Sequence, residues 1–161
     1  MIEAPQILRL EARPTATLRL LVPREEIRNV MGPGIREVMG AIVAQGLTPT
    51  QPWCTHHFRR PTDTFDFEIC VPVNRPVQPI GRVRPGEWPA MTVARTVYHG
   101  PYEGLAAAWP EFLSSIETLG HPQAEDLWES YLVGPETRSN PADWRTELIR
   151  PLEAMGSHLD C

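Results

Sequence analysis

The sequence predicts an α+β fold. Two tandem βαββ units would join into one antiparallel sheet, with two helices on one face and a central cleft. Three observations predict this. An ordered series of markers recurs in the two halves of the chain. Strand-like and helix-like runs follow each other in the same order in both halves. Prolines fall at the ends of those runs. The chain has 161 residues, 18 of them Pro, and an average chain carries only about 5% Pro. An apolar fraction of 42% excludes a disordered chain, so the prolines punctuate a fold.

The repeat sets the domain organisation. Pro14 and Pro89 each precede an apolar run, with a shift of 75. Gly46 and Gly120 each end an amphipathic stretch, and Pro61 and Pro135 share the same shift of 74. Phe65-Asp66-Phe67-Glu68-Ile69 then matches Trp144-Arg145-Thr146-Glu147-Leu148 at 79, as do Pro72 and Pro151. The extra residues fall between Pro135 and Trp144. A single domain over 1–153 is expected, with pseudo-repeats over about 6–75 and 80–153 and a mobile tail over 154–161.

Each half reads as strand, helix, strand, strand. Thr15 to Val22 and Ala90 to Tyr98 are rich in Thr, Val and Leu, which suit strands. Pro33 suits a first helical position, and Ile35, Val38, Met39, Ile42 and Val43 form a stripe up to Gly46. Arg24 to Met31 reads as a short extra turn. In the second half Leu105, Trp109, Phe112, Leu113, Ile116 and Leu119 recur at helical spacing, with Pro110 inside the pattern and Gly120 at its end. Phe65, Phe67, Ile69 and Val71 alternate as a strand closed by Pro72. In Leu127 to Val133, alternation puts Leu127, Glu129, Tyr131 and Val133 on one face. Trp128 and Leu132 point the other way, to the face expected under the helix.

Composition narrows the function. Acidic residues number 20 against 15 basic, a net charge of −5, and every basic residue is Arg. A binder of phosphate backbones is normally basic, so direct nucleic-acid contact is not expected. Cys54, Cys70 and Cys161 are few, odd in number and widely spaced, which fits a reducing cytoplasm. Cys54-Thr55-His56 has no second Cys/His pair at metal-ligand spacing, so no metal is expected. No apolar run of about 20 residues is present to span a membrane, and Met1 to Val22 has no signal-peptide core. Exposed sheet edges leave monomer and homodimer open.

Tyr98-His99-Gly100-Pro101-Tyr102-Glu103-Gly104-Leu105, then Glu129-x-Tyr131 before Pro135, then Trp144-Arg145-Thr146-Glu147-Leu148, resemble the GyrI-like, or AraC-type effector-binding, domain family. Phe65 to Val73, and Gly81-x-Val83 leading into Trp88-Pro89-Ala90, resemble it in the first half. The resemblance covers about 6–153. It implies a tandem βαββ fold whose cleft binds small, often cationic or amphipathic, aromatic molecules. It also implies a stand-alone form, since about five residues precede the domain and no helix-turn-helix fits there. Relatives of that form inhibit gyrase, sequester toxic compounds, or hydrolyse cyclopropane-containing DNA alkylators.

The resemblance makes Glu129 the cleft acid, able to attract a ligand cation. It makes Trp144 an aromatic facing that acid, suited to stacking and cation–π contact; a core anchor is the structural alternative. Trp53 and Phe65 are the first-half counterparts. Tyr102 and Tyr131 are further walls, or, in a hydrolase, the partners of Glu129 that orient water or substrate. Glu147 and Glu68 rim the cleft, or pair with Arg75 or Arg145 as surface ions. His99 reads as a turn residue. The expected function is cofactor-free binding of cationic or amphipathic aromatic compounds, for sensing or sequestration. The alternatives are a self-resistance hydrolase of cyclopropane-containing alkylators and a protein that acts on DNA gyrase.

Overall fold

The computed structural model describes residues 1–59 and 62–153. Pro61, Cys161 and the tail 154–161 lie outside the described residues. The elements are β1 (Gln6–Leu10), β2 (Arg13–Pro23), α1 (Ile27–Ala44), β3 (Cys54–His57), β4 (Thr64–Pro72), β5 (Arg84–Trp88), β6 (Met91–His99), α2 (Leu105–Thr118), β7 (Leu127–Val133) and β8 (Arg145–Pro151). Among the described residues no helix is long and apolar enough to cross a membrane.

The protein is α+β and folds as two compact units with the same βαββ order. One unit is Glu11–Ala90. Its strands run β3-β4-β2-β5, all antiparallel. Val38, Ala41 and Ile42 of α1 pack on Leu18, Leu20, Phe67 and Ile69. The other unit combines Met1–Leu10 with the chain from Met91 onward. Its strands run β1-β6-β8-β7, again antiparallel. Trp109, Phe112 and Ile116 of α2 pack there on Ala94, Tyr98, Leu127 and Leu148. The leading strand of each repeat thus hydrogen-bonds outside its own repeat: β1 adds to β6, and β5 adds to β2.

Strand register agrees with the repeat. Thr55 pairs with Ile69, and Glu129 with Leu148, so the sequence shifts of 74 for β3 on β7 and 79 for β4 on β8 carry one paired position onto the other. Gly46 and Gly120, also 74 apart, have φ of 68° and 78°. Both close a helix in the left-handed region that glycine enters without strain.

Three readings are corrected. Pro14 and Pro89 are not equivalent. Thr15 pairs with Pro72 and Val93 with Pro151, so the shift of 79 between those two prolines sets β2 and β6 at 78. The α1 helix begins at Ile27, after a 3-10 turn over Arg24–Glu26, and Pro33 lies inside it. Ile27, Val30 and Met31 pack against the same core as the rest of the helix. That burial extends the helix backwards despite the lost hydrogen bond at Pro33. Finally, Trp128 is not under α2. Glu129 faces Leu148, a member of the α2 cluster, so Leu127, Glu129 and Tyr131 point to the helix and Trp128 points away. The period of two separates the faces of β7 but does not say which face the helix covers.

Candidate functional site

The candidate site is built where the covered face of β7 meets α2. Glu129 and Tyr131 stand two residues apart on that strand, so both side chains project to the same side. The Tyr131 hydroxyl donates to Glu129 Oε1 at 2.6 Å. From the helix, the Trp109 indole N–H donates to Oε2 at 2.6 Å. Trp109 and Tyr131 are buried, while Glu129 is half-buried. Each carboxylate oxygen therefore has one fixed donor. A partly desolvated acid held in this way keeps its orientation and its remaining lone pairs for a ligand.

Aromatic rings extend from this acid. Tyr102, in the 3-10 turn that leads into α2, stands edge-on to Tyr131 with ring centroids 5.8 Å apart. Trp144, just before β8, lies 4.8 Å from Tyr102. Its indole N–H is held by the Arg138 carbonyl at 2.9 Å. The Tyr98 hydroxyl donates to the Pro101 carbonyl at 2.8 Å and fixes the turn that carries Tyr102. Tyr102 is half-buried. Its phenol is pushed up to about 12, first by desolvation and then by the charges of Glu136 and Glu129. It therefore stays a neutral hydrogen-bond donor.

The structure thus brings Glu129, Tyr131, Tyr102 and Trp144 into one unit, with contacts running from each to the next. Glu147 is different. It sits on the opposite face of its strand from Leu148, and Arg95 Nε donates to it in a cross-strand ion pair. Its partner is Arg95, where the sequence reading named Arg75 or Arg145. Glu68 likewise meets His56, at 3.5 Å. His99 meets Glu3 at 2.7 Å. Trp53 and Phe65 belong to the other unit, where both pack against the α1 core. Phe65 lies 5.9 Å from the His57 ring. Among the described residues no group of three His, Cys, Asp or Glu side chains could hold a metal.

Sequence reasoning missed Trp109 as the donor to Glu129 and did not single out Glu136. Trp109 was visible only as one member of an apolar stripe. The duplication holds a further signal. At the shift of 74, Thr55 and His57 stand where Glu129 and Tyr131 stand, and they too are joined, at 3.2 Å. The same scaffold contact is acidic in one copy and uncharged in its Thr member in the other.

The chain belongs to the GyrI-like small molecule binding domain family, whose model matches residues 3–153. No curated protein is similar to it in sequence. Among solved structures, it is similar to the C-terminal domain of EcmrR, at 25% identity and a TM-score of 0.83, covering 94% of this chain and 98% of that one. It is also similar to EcmrR in its complex with DNA, at 25% identity and a TM-score of 0.82, where it covers 94% of this chain. There it spans 58% of the EcmrR chain. SAV2435 bound to tetraphenylphosphonium shares the fold at 11% identity and a TM-score of 0.61, covering 97% of this chain and 98% of that one.

Proposed function

We propose that this domain binds cationic or amphipathic aromatic molecules, with Glu129 as the electrostatic anchor and Tyr102, Tyr131 and Trp144 as stacking surfaces, in a sensing or sequestering role. The observation that carries the reading is the pair of donors, Trp109 and Tyr131, that holds both oxygens of Glu129. Family membership supports the small-molecule part, and the aromatic cation bound to SAV2435 supports the ligand class. Trp53 and Phe65 stay in the proposal as aromatic contacts to be tested by substitution.

Tetraphenylphosphonium is a direct probe. At 100 times its dissociation constant, a ligand that binds only the native state stabilises it by about 2.7 kcal/mol. The melt should rise with the probe, and Glu129→Gln should weaken binding about tenfold or more while the fold is kept. A panel of cationic and neutral aromatic compounds that leaves the melt unchanged would defeat the reading.

A second reading, hydrolysis of a strained electrophile, is favoured by the Tyr131 hydroxyl held on Glu129 at 2.6 Å, a tyrosine–acid pair of the kind that orients water or substrate. Mass spectrometry of a cyclopropane-containing alkylator incubated with the protein decides it. Multiple turnovers that vanish in Glu129→Gln establish hydrolysis, and stoichiometric protection establishes sequestration.

A further inference from the structure

Beside the anchor is a second carboxylate with no assigned task. Glu136 lies on the exposed loop after β7. Among the described residues it makes no hydrogen bond or ion pair. Its position is nonetheless defined at Gly134. A Cβ built there would lie 2.7 Å from the Tyr102 hydroxyl and 3.0 and 3.1 Å from the two Glu136 carboxylate oxygens. The hydroxyl and the carboxylate therefore converge on one buried glycine, and only a residue without a side chain leaves room for both. Tyr102 feels the charges of both Glu136 and Glu129. Its ring in turn contacts Tyr131, which holds Glu129, and Trp144. The aromatic surface thus has a half-buried acid on the Tyr131 side and an exposed acid at the Gly134 loop.

We propose that Glu136 is a second anionic contact of this site, which makes it selective for aromatic ligands with two cationic centres over those with one. The proposal rests on the functional reading above, because it assumes that an aromatic cation occupies the Glu129 site. In such a ligand the ring system stacks on Tyr102 and Trp144, one positive centre meets Glu129, and the other reaches the Gly134 loop. A charge pair at about 4 Å in a water-like medium is worth about fivefold in affinity. That is the size of preference an exposed carboxylate supplies.

Ethidium and propidium form a matched pair of probes, since propidium adds a quaternary ammonium arm to the same ring system. Fluorescence titration of the full chain should give propidium about fivefold tighter binding than ethidium. Glu136→Gln should bring the two within about twofold, leaving ethidium affinity nearly unchanged. Glu129→Gln should weaken both. Glu117→Gln serves as the control for general charge. It is exposed on α2, eight residues beyond Trp109, or about 12 Å along the helix. Ethidium binding with no propidium preference, or a preference that Glu136→Gln leaves intact, overturns the proposal while the Glu129 site stands. A preference lost equally in Glu117→Gln also overturns it, by assigning the effect to net charge. If neither dye binds and no other cation does, the functional reading fails and takes this inference with it.

Discussion

At the scale of single residues, Tyr102 and the glycines around it decide the most. The raised Tyr102 pKa means that the native state holds this proton more tightly than the unfolded chain, where tyrosine titrates near 10. Between about 10 and about 12 the native state therefore binds more protons than the unfolded one, and its stability falls as pH rises through that window. Below 10 the contribution is fully present. Ultraviolet titration of tyrosinate should show a late-ionising group that Tyr102→Phe removes. Gly104 carries a harder constraint. A Cβ there would lie 1.8 Å from the Tyr98 hydroxyl and 2.8 Å from its Cζ. Tyr98 is buried and hydrogen-bonded, so its ring has no room to retreat. Gly104→Ala should cost about 2–3 kcal/mol by thermal or denaturant unfolding, as overpacking does. The sequence reading places a turn at His99. That Gly104 makes room for Tyr98 was not legible, because the contact closes through the fold of the turn itself.

At the scale of elements, helix α1 shows how packing overrides local rules. Pro33 and Gly34 together would end an isolated helix. Instead Gly34 lets α1 approach β4 so closely that an added Cβ would lie 2.5 Å from Ile69 Cδ1. Gly40, in the same helix, is exposed with nothing within 4 Å of the added atom. Gly40→Ala should stabilise the protein by about 0.5–1 kcal/mol, the helix-propensity difference. Gly34→Ala should forfeit that gain to the clash. Equal Tm shifts for the two variants would refute the close approach. Strand β7 teaches the matching lesson about site residues. Its alternation put Glu129 with Tyr131 correctly. Which face α2 covers depended on the register with β8, a contact between residues about 20 apart in sequence. For that reason Trp128 was assigned to the wrong side.

At the scale of the whole molecule, charge and duplication set the behaviour. A net charge of −5 surrounds the candidate cation site with a mildly attractive field. Affinity for a singly charged aromatic cation should fall severalfold when ionic strength rises from about 0.02 to about 0.5 M. Glu129→Gln should flatten that dependence, and calorimetry at the two salt levels checks it. An affinity that does not respond to salt would assign recognition to stacking alone. Duplication supplies two copies of one scaffold position, and only one of them carries an acid. The site is accordingly asymmetric although the fold repeats.

By itself the sequence determined the α+β class, the two βαββ copies, the shifts of 74 and 79, and the pairing of Glu129 with Tyr131 on one strand face. These follow from periodicity and from local backbone chemistry at Gly and Pro, which act within a few residues. Only the tertiary structure decided that β1 and β5 pair outside their own repeats, that Trp109 holds Glu129, that Arg95 neutralises Glu147, and that Glu136 meets Tyr102 at Gly134. Each depends on strand register and on the choice of covered face. Both are set by burying apolar surface between residues far apart in the chain, and local sequence does not encode them.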